Sequence, residues 1–386
     1  MNIVQKKIGI IGGGQLGKMM ILEAKRLGLH VVTLDPDPAC ASSSISDVHI
    51  VASLQDEAAI FELAAQVDVI TYEFENINAD ALLKLERQGH AIYPTAKSLK
   101  VIQNKLAQKQ ALQDAGIPVP RFAQVQSTQD IARQGDALGY PLMLKTTMGG
   151  YDGKGTALIR DASQVEAAYH ELGAGAKGLM VEEFVPFACE VSIIATRGID
   201  GARAIFPIAE NGHKHSILDI TIVPARIDAA AAARASEIAD RVMELFAGVG
   251  TFGIEMFVTQ DGAVSVNEIA PRPHNSGHYT IEGCLANQFE NHVRAIVGLP
   301  LGDVTLRQPT VMVNLLGESD GPARLLGVEE AYAANPCLMV HLYGKPVSKF
   351  RRKMGHFTVV DQTVEGAIAR AEAARALVRV VGDSIS

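Results

Sequence analysis

Apolar positions follow two rhythms along the first hundred residues. Lys7–Ile11 is a continuous apolar run that stops at Gly12-Gly13-Gly14. Leu16, Met19, Met20, Leu22 and Ala24 then recur at helical spacing up to Gly28, and His30–Leu34 is a second β-branched run ending at Asp35-Pro36. Run, helical period and run make a β-α-β unit. The alternation continues: Ala58–Ala65 predicts a helix, Val67–Tyr72 a strand, Ala79–Arg87 a helix and Ala91–Tyr93 a short strand. Strands that alternate with helices predict a parallel, doubly wound sheet, so the fold class is α/β with a Rossmann-like start.

The pattern then changes. Leu99–Ala115 is polar and rich in Lys and Gln, and Gly116, Pro118 and Pro120 follow it, which predicts one helix with a stop signal at the entry to a second domain. Pro141–Thr146, Leu158–Ile159 and Leu179–Glu183 predict strands, with a helix over Ser163–Leu172. A larger α+β region follows, with strands expected at Glu190–Ala195, Ala204–Ile208, Thr221–Pro224, Thr251–Thr259 and Ala263–Asn267, and an Ala-rich helix at Asp228–Leu245. The tail Met339–Phe357 is strand-like and basic, and Val364–Ala376 predicts a last helix. The expected domains are 1–103, 104–186 and 187–386.

Composition narrows the classes. A chain of 386 residues has room for two or three domains. The net charge is −8 and no basic block of five or six residues occurs, which argues against nucleic acid as a partner. An acidic chain that binds anions must gather its cations locally. No run of eighteen apolar residues is present, so no membrane span is expected. The start MNIVQKKIGIIGGG is too short and Gly-broken for a signal peptide. Cys40, Cys189, Cys284 and Cys337 are far apart, which speaks against a disulfide framework or a metal cluster and for the cytoplasm.

Candidate chemistry lies in five places. Gly12, Gly14 and Gly17 fit G-x-G-x-x-G with Asp35 at the end of the next strand. That spacing suits a dinucleotide, a phosphate on the helix N-terminus, or a tight turn that binds neither. The stretch Leu144–Thr156 carries Gly149, Gly150, Gly153 and Gly155 beside Lys145 and Lys154, with Tyr151-Asp152 between them. Bare backbone N–H groups and two lysines suit a polyphosphate, although no Walker A spacing is met. Glu255 and Glu268 are single acids inside two apolar runs joined through the turn signal Asp261-Gly262, which places both carboxylates side by side. Two such carboxylates repel each other, and a hard cation such as Mg²⁺ resolves this. Directly after come Arg272, His274, Asn275 and His278 in a stiff, Pro-rich loop suited to small anions. Lys345, Arg352 and Lys353 form a second basic loop, either a phosphate clamp or a solvated turn.

Taken in order, GGGQLG, YEFENI, LKTTMGGYDGKG, EEFVPF with Glu190, GIEMFV, NEIAPRPHNSGH and RKMGH resemble the ATP-grasp superfamily. Within it they resemble the N5-carboxyaminoimidazole ribonucleotide synthetase family. The resemblance implies a three-domain ATP-grasp fold, ATP and Mg²⁺, and a homodimer. Lys105 and Lys145 would contact ATP phosphates, and Gly150, Tyr151, Asp152, Gly153, Lys154, Gly155 and Thr156 would close over them. Glu182, Glu183, Phe184 and Val185 would line the adenine, Glu190 would hold the ribose, and His213 and Asn267 would sit beside the nucleotide. Glu255 and Glu268 would ligate magnesium. Gln15, Leu16, Glu73, Asn275, Lys345, Arg352 and Lys353 would bind the ribonucleotide. Tyr151, Asp152, Lys154, Arg272 and His274 would serve the chemistry. The implied reaction carboxylates 5-aminoimidazole ribonucleotide with bicarbonate and ATP, through carboxyphosphate. The competing readings are a formate-using transformylase of the same superfamily, an NAD-binding oxidoreductase built on Gly12–Gly17, and a non-catalytic nucleotide-binding regulator.

Overall fold

The computed structural model describes residues 5–150 and 153–383. The first unit runs β1 (Lys7–Ile11), α1 (Gln15–Arg26), β2 (His30–Asp35), β3 (Val48–Val51), α2 (Glu57–Ala64), β4 (Val69–Tyr72), α3 (Ala79–Arg87) and β5 (Ala91–Ile92). The strands lie in the order β3-β2-β1-β4-β5 and every neighbouring pair is parallel. The doubly wound expectation holds, because β1 and β2 are apolar on both faces and need cover on both. Ile60, Leu63, Leu82 and Leu85 of α2 and α3 cover one face. Met20 and Ile21 of α1 cover the other, together with Phe289, Val293 and Ile296 from the distant helix Gln288–Val297. At about 1.5–3 kcal/mol per large apolar side chain buried, that second layer is a substantial bond between the first unit and the later part of the chain. The half-exposed edge strand β3 is only four residues long, VHIV, and lies outside the strands expected from sequence.

The single helix expected over Leu99–Ala115 is two, α4 (Ala96–Ile102) and α5 (Lys105–Asp114). The break has a physical cause. Asn104 starts a new helix by accepting a hydrogen bond from the Ala107 N–H at 3.1 Å, and the Lys105 N–H donates to Thr147 O at 2.8 Å instead of continuing the first helix. A four-stranded antiparallel sheet follows, formed by β6 (Phe122–Val125), β7 (Leu142–Thr146), β8 (Thr156–Ile159) and β9 (Leu179–Glu183) in the order β6-β9-β7-β8. Ile131 of α6 (Thr128–Leu138) and Val165 of α7 (Val165–Glu171) pack on one face of it.

The remainder centres on a nine-stranded antiparallel sheet. Its elements are β10 (Phe187–Arg197), β11 (Arg203–Ile205), β12 (Ala209–Lys214), β13 (Ile217–Val223), α8 (Ala229–Phe246), β14 (Gly250–Thr259), β15 (Val264–Ala270), α9 (Thr280–Gly283), α10 (Gln288–Val297) and β16 (Thr310–Leu316). The tail adds β17 (Gly321–Leu326), α11 (Val328–Ala334), β18 (Leu338–Leu342), β19 (Val347–Ser348), β20 (Lys353–Val360), α12 (Val364–Leu377) and β21 (Arg379–Gly382). The sheet order is β15-β14-β10-β12-β13-β16-β20-β18, with β11 beside β10, while β19, β17 and β21 form a small sheet of their own. Ile238 and Val242 of α8 pack under β10 and β14, and Ala367 and Ala371 of α12 pack under β16 and β20. One imidazole ties the parallel sheet to this one. His292 of α10 accepts the Thr251 N–H at Nδ1 (3.0 Å), which leaves the proton on Nε2, 2.8 Å from Thr71 Oγ1 of β4.

Candidate active site

β14 and β15 form the hairpin that the Asp261-Gly262 turn predicts, and Glu255 and Glu268 are direct partners across it. A bulge follows between Glu255 and Met256. Burial raises the Glu255 carboxyl, and the facing Glu268 raises it further, to about 7. Burial would raise Glu268 too, but the Lys105 ammonium bonded to it, with Lys145 and Lys109 behind, holds it below the usual carboxylate range. Glu268 is therefore partnered, where the sequence suggested two bare carboxylates. Two in-register carboxylates fit the protein's share of a magnesium site, whose other ligands are phosphate oxygens and water. Among the described residues no group of three or more His, Cys, Asp and Glu is arranged to hold a metal, so these residues form no full cage.

Lys145 lies at the end of β7, opposite Thr156 of β8. The Gly-rich connection between these strands returns so that the Thr146 N–H donates to Gly155 O at 2.8 Å. Gly149, Gly153 and Gly155 have φ of 73°, 77° and 78°, which side chains rarely adopt, and this explains the glycine density. Tyr151 and Asp152 lie outside the described residues. Gly150 and Lys154 flank them on the loop, with Lys154 exposed. On β9 successive side chains point to opposite faces. Glu182 is buried and takes Lys145 Nζ at 2.5 Å. Glu183 turns the other way, to the Arg121 guanidinium at 2.5 Å, so its carboxylate serves the start of β6 rather than the cleft. Phe184 and Val185 leave the strand exposed or half-exposed, available to an aromatic ligand.

Glu190, Asn211, His213, Glu255, Phe257 and Asn267 line a small polar recess between β10, β12, β14 and β15. Burial alone would lower His213, but the Glu190 carboxylate against its Nδ1 outweighs this and holds the imidazole above its ordinary value. Asn267 Oδ1 is 3.5 Å from Lys145 Nζ, which joins this recess to the lysines.

The first Gly-rich turn is already occupied by the protein. The Gly14 and Gly17 N–H groups donate to the two oxygens of Glu73, the second at 2.6 Å, and the Gly13 N–H donates to Asp35 at 2.7 Å. A Cβ on Gly14 would lie 2.5 Å from the Glu73 carboxylate. The Gly14 and Gly17 N–H groups that a pyrophosphate would need thus already hold a carboxylate, which speaks against the NAD enzyme. The neighbouring Gln15 receives Lys345 Nζ at 3.0 Å, and Lys345 also donates to Lys353 O at 2.8 Å, so the basic tail loop docks on this turn. Arg352, half-buried in the same loop, donates to Val347 O at 3.1 Å. Leu16 points into the core beneath.

The loop after β15 carries Arg272, paired at 2.8 Å with Glu75, and His274. A directed chain of hydrogen bonds fixes His274: Thr221 donates to Asn211 (3.0 Å), Asn211 to Ser192 (2.8 Å), Ser192 to Ser276 (2.7 Å), and Ser276 lies 2.9 Å from His274 Nδ1. The Ser276 N–H also donates to that nitrogen, so Nδ1 accepts. Burial, with Arg272 and Lys353 nearby, keeps the ring neutral, far below its ordinary pKa. Its proton is then on Nε2, 3.5 Å from Glu255 Oε1. Asn275 is buried and exchanges hydrogen bonds with Asn314 at 3.0 and 2.8 Å.

Sequence reading missed Lys109, Gln108 and Glu75. Lys105, Gln108, Lys109 and Leu112 stand at i, i+3, i+4 and i+7, one helix face, and that spacing was the available signal. Glu75 has none, because its partner Arg272 arrives from another part of the chain.

Three family profiles match the chain: the ribonucleotide synthetase preATP-grasp domain at residues 5–103, the ATP-grasp domain at 110–289, and the phosphoribosylaminoimidazole carboxylase C-terminal domain at 310–370. The N5-carboxyaminoimidazole ribonucleotide synthase of Bacillus subtilis is 43% identical over 92% of this chain and 91% of its own. The crystal structure of N5-carboxyaminoimidazole ribonucleotide synthetase from Thermotoga maritima is similar with a TM-score of 0.90 at 43% identity, covering 98% of this chain and 100% of that one. The Aspergillus clavatus N5-carboxyaminoimidazole synthase, solved in complex with ADP and 5-aminoimidazole ribonucleotide, gives a TM-score of 0.88 at 33% identity, over 97% and 99% of the two chains.

Proposed function

This chain belongs to the N5-carboxyaminoimidazole ribonucleotide synthase family, and on that premise we propose how its residues divide the family's reaction. It is an ATP-grasp ligase of purine biosynthesis that makes N5-carboxyaminoimidazole ribonucleotide from 5-aminoimidazole ribonucleotide, bicarbonate and ATP. The observation that carries the division of labour is the in-register pair Glu255 and Glu268, with Lys105 bonded to Glu268 and Lys145 beside the adjacent Asn267.

Lys105, Lys145 and the loop Gly150–Thr156 hold the polyphosphate of ATP. Glu190 and His213 hold its ribose, and Phe184 with Val185 packs on the adenine. Glu255 and Glu268 would hold magnesium, which would supply charge neutralisation for the phosphates. A bicarbonate oxygen attacks the γ-phosphorus, the bond to the β-phosphate oxygen breaks, and ADP leaves. Arg272, steered by Glu75, binds the carboxyl oxygens of the carboxyphosphate that results. Neutral His274 directs its Nε2–H to Glu255 and so orients that carboxylate. The ribonucleotide amine then attacks the carboxyl carbon, phosphate leaves, and the amine loses its proton. Tyr151, Asp152 and Lys154 exclude water while this labile intermediate exists. Gln15, Glu73, Asn275, Lys345, Arg352 and Lys353 form the ribonucleotide side of the site.

The test is ADP release with each substrate withheld in turn. Release should need both the ribonucleotide and bicarbonate, and one oxygen of ¹⁸O-bicarbonate should appear in inorganic phosphate. Turnover with formate in bicarbonate-free buffer, or phosphate free of label, would overturn this reading.

A further inference from the structure

Lys109 stands outside everything assigned above. Its side chain is 2% exposed, which is rare for a lysine and needs a reason. Its Nζ lies 3.2 Å from Glu182 Oε1 and donates to Val266 O at 2.9 Å. Glu182 is itself buried, and its other oxygen takes Lys145 Nζ at 2.5 Å. Oε1 has no directed hydrogen bond, so the nearby Lys109 charge is what compensates it. The carboxylate is thus held between two ammonium groups, one sealed inside and one, Lys145, at the cleft. Burial pushes the Lys109 amine down to about 8, against the pull of Glu182, whereas the two lysines outweigh burial at Glu182 and hold it at about 2.

The contacts also span two sheets. Val266 belongs to β15 of the nine-stranded sheet and Glu182 to β9 of the four-stranded one. Gln108, the neighbour of Lys109 on α5, accepts the Ile269 N–H at 3.0 Å and donates to Ile269 O at 3.2 Å, which pins the helix to β15. Lys109 therefore reaches from a fixed helix across to the strand that carries the partner of Lys145.

We infer that Lys109 is a positioning residue for ATP, which acts through Glu182 to hold the Lys145 ammonium where the nucleotide phosphates bind. The role rests on the division of labour proposed above. Lys109 touches no substrate. Without it, Glu182 is free to draw Lys145 inward, and the phosphate contact is lost while the ribonucleotide side is untouched.

Lys109→Met keeps the length of the side chain and removes its charge. It should raise the KM for ATP by about tenfold to a hundredfold, the size of one charge-assisted contact, with the ribonucleotide KM unchanged. Lys109→Gln, which retains a donor for Val266 O, should behave alike because the charge is what matters. Glu182→Gln should raise the same constant, and the double variant Lys109→Met/Glu182→Gln should be no worse than Glu182→Gln alone, because both act on one ammonium. An unchanged ATP KM, equal loss for both substrates, or additive effects in the double variant would overturn the role. So would failure of both Lys109→Met and Lys109→Gln to fold, shown by circular dichroism, since Lys109 would then be a scaffold group. Absence of ribonucleotide-dependent ADP release in the unmodified enzyme would instead mark failure of the functional reading.

Discussion

A carboxylate is defined by what faces each of its oxygens. Glu182 has a lysine at both and is held at about 2, whereas Glu255 faces another carboxylate across one strand pair and is raised to about 7. The two acids of the hairpin should therefore respond differently to loss of charge. Glu255→Gln and Glu268→Gln should each lower kcat by at least about a hundredfold, because each removes charge from the place where phosphate charge must be neutralised. On stability they should diverge. Glu255→Gln relieves a repulsion and should leave the unfolding temperature unchanged or raised. Glu268→Gln leaves the half-buried Lys105 without its partner and should cost about 1 kcal/mol, less than a fully buried pair because 45% of the Glu268 side chain stays accessible. Turnover at saturating magnesium, set beside thermal unfolding of both variants, checks this. Near-normal turnover in either would remove that residue from the metal site, and equal destabilisation would contradict the Lys105 pairing.

Elements matter here through where their ends meet. The loop between β18 and β20 crosses to the start of α1, where Lys345 reaches Gln15 and Lys18 Nζ reaches Leu342 O at 3.3 Å. Arg352 is anchored in that loop beside the Glu73 turn, and a cation there suits a phosphate monoester. Arg352→Ala should raise the ribonucleotide KM by about tenfold to a hundredfold and leave the ATP KM in place. Initial rates with each substrate varied separately decide it, and a raised ATP KM would assign the loop to the nucleotide instead. What was legible in the sequence follows the same logic of ends and partners. The units β1-α1-β2, α3, β9 and α8 could be read because one segment carries its own period and stop signals. The Glu255–Glu268 pair could be read because its turn is local. The break at Asn104 could not, since the Lys105 N–H is taken by Thr147, just past the end of β7. Nor could the role of Lys109, whose carbonyl partner Val266 lies 157 residues away. The Gly-rich turn stayed ambiguous for the same reason: the N–H groups of Gly14 and Gly17 are satisfied by Glu73, 59 and 56 residues downstream.

At the scale of the whole molecule, the parallel sheet and the nine-stranded sheet share one buried imidazole. His292 is fully buried, and burial alone drives its pKa from 6.5 to about 3. Its neutral form is what the architecture requires, since Nδ1 must accept from Thr251 while Nε2–H faces Thr71. The sign of the linkage follows. The folded pKa lies below the unfolded one, so the unfolded chain binds the extra proton first as pH falls. Above pH 6.5 neither state is protonated and this residue contributes no pH dependence. Below it, stability is lost at up to about 1.4 kcal/mol per pH unit until the folded pKa is reached. Burial holds His278 and His356 well below their ordinary values and adds in the same direction, while the raised carboxyls of Glu73 and Glu255 oppose it. The absolute acid profile is therefore a sum of opposing parts, and the clean quantity is a difference between two proteins. His292→Asn should be less stable at pH 7.5 by about 1–3 kcal/mol, because a buried hydrogen-bonded bridge is removed. Its stability should then fall more slowly between pH 6 and 4 than that of the unmodified chain, by about one proton's worth of slope. Urea unfolding followed at pH 7.5, 6, 5 and 4 measures both terms in one series. Parallel profiles for the two proteins would mean that His292 is not held neutral in the folded chain.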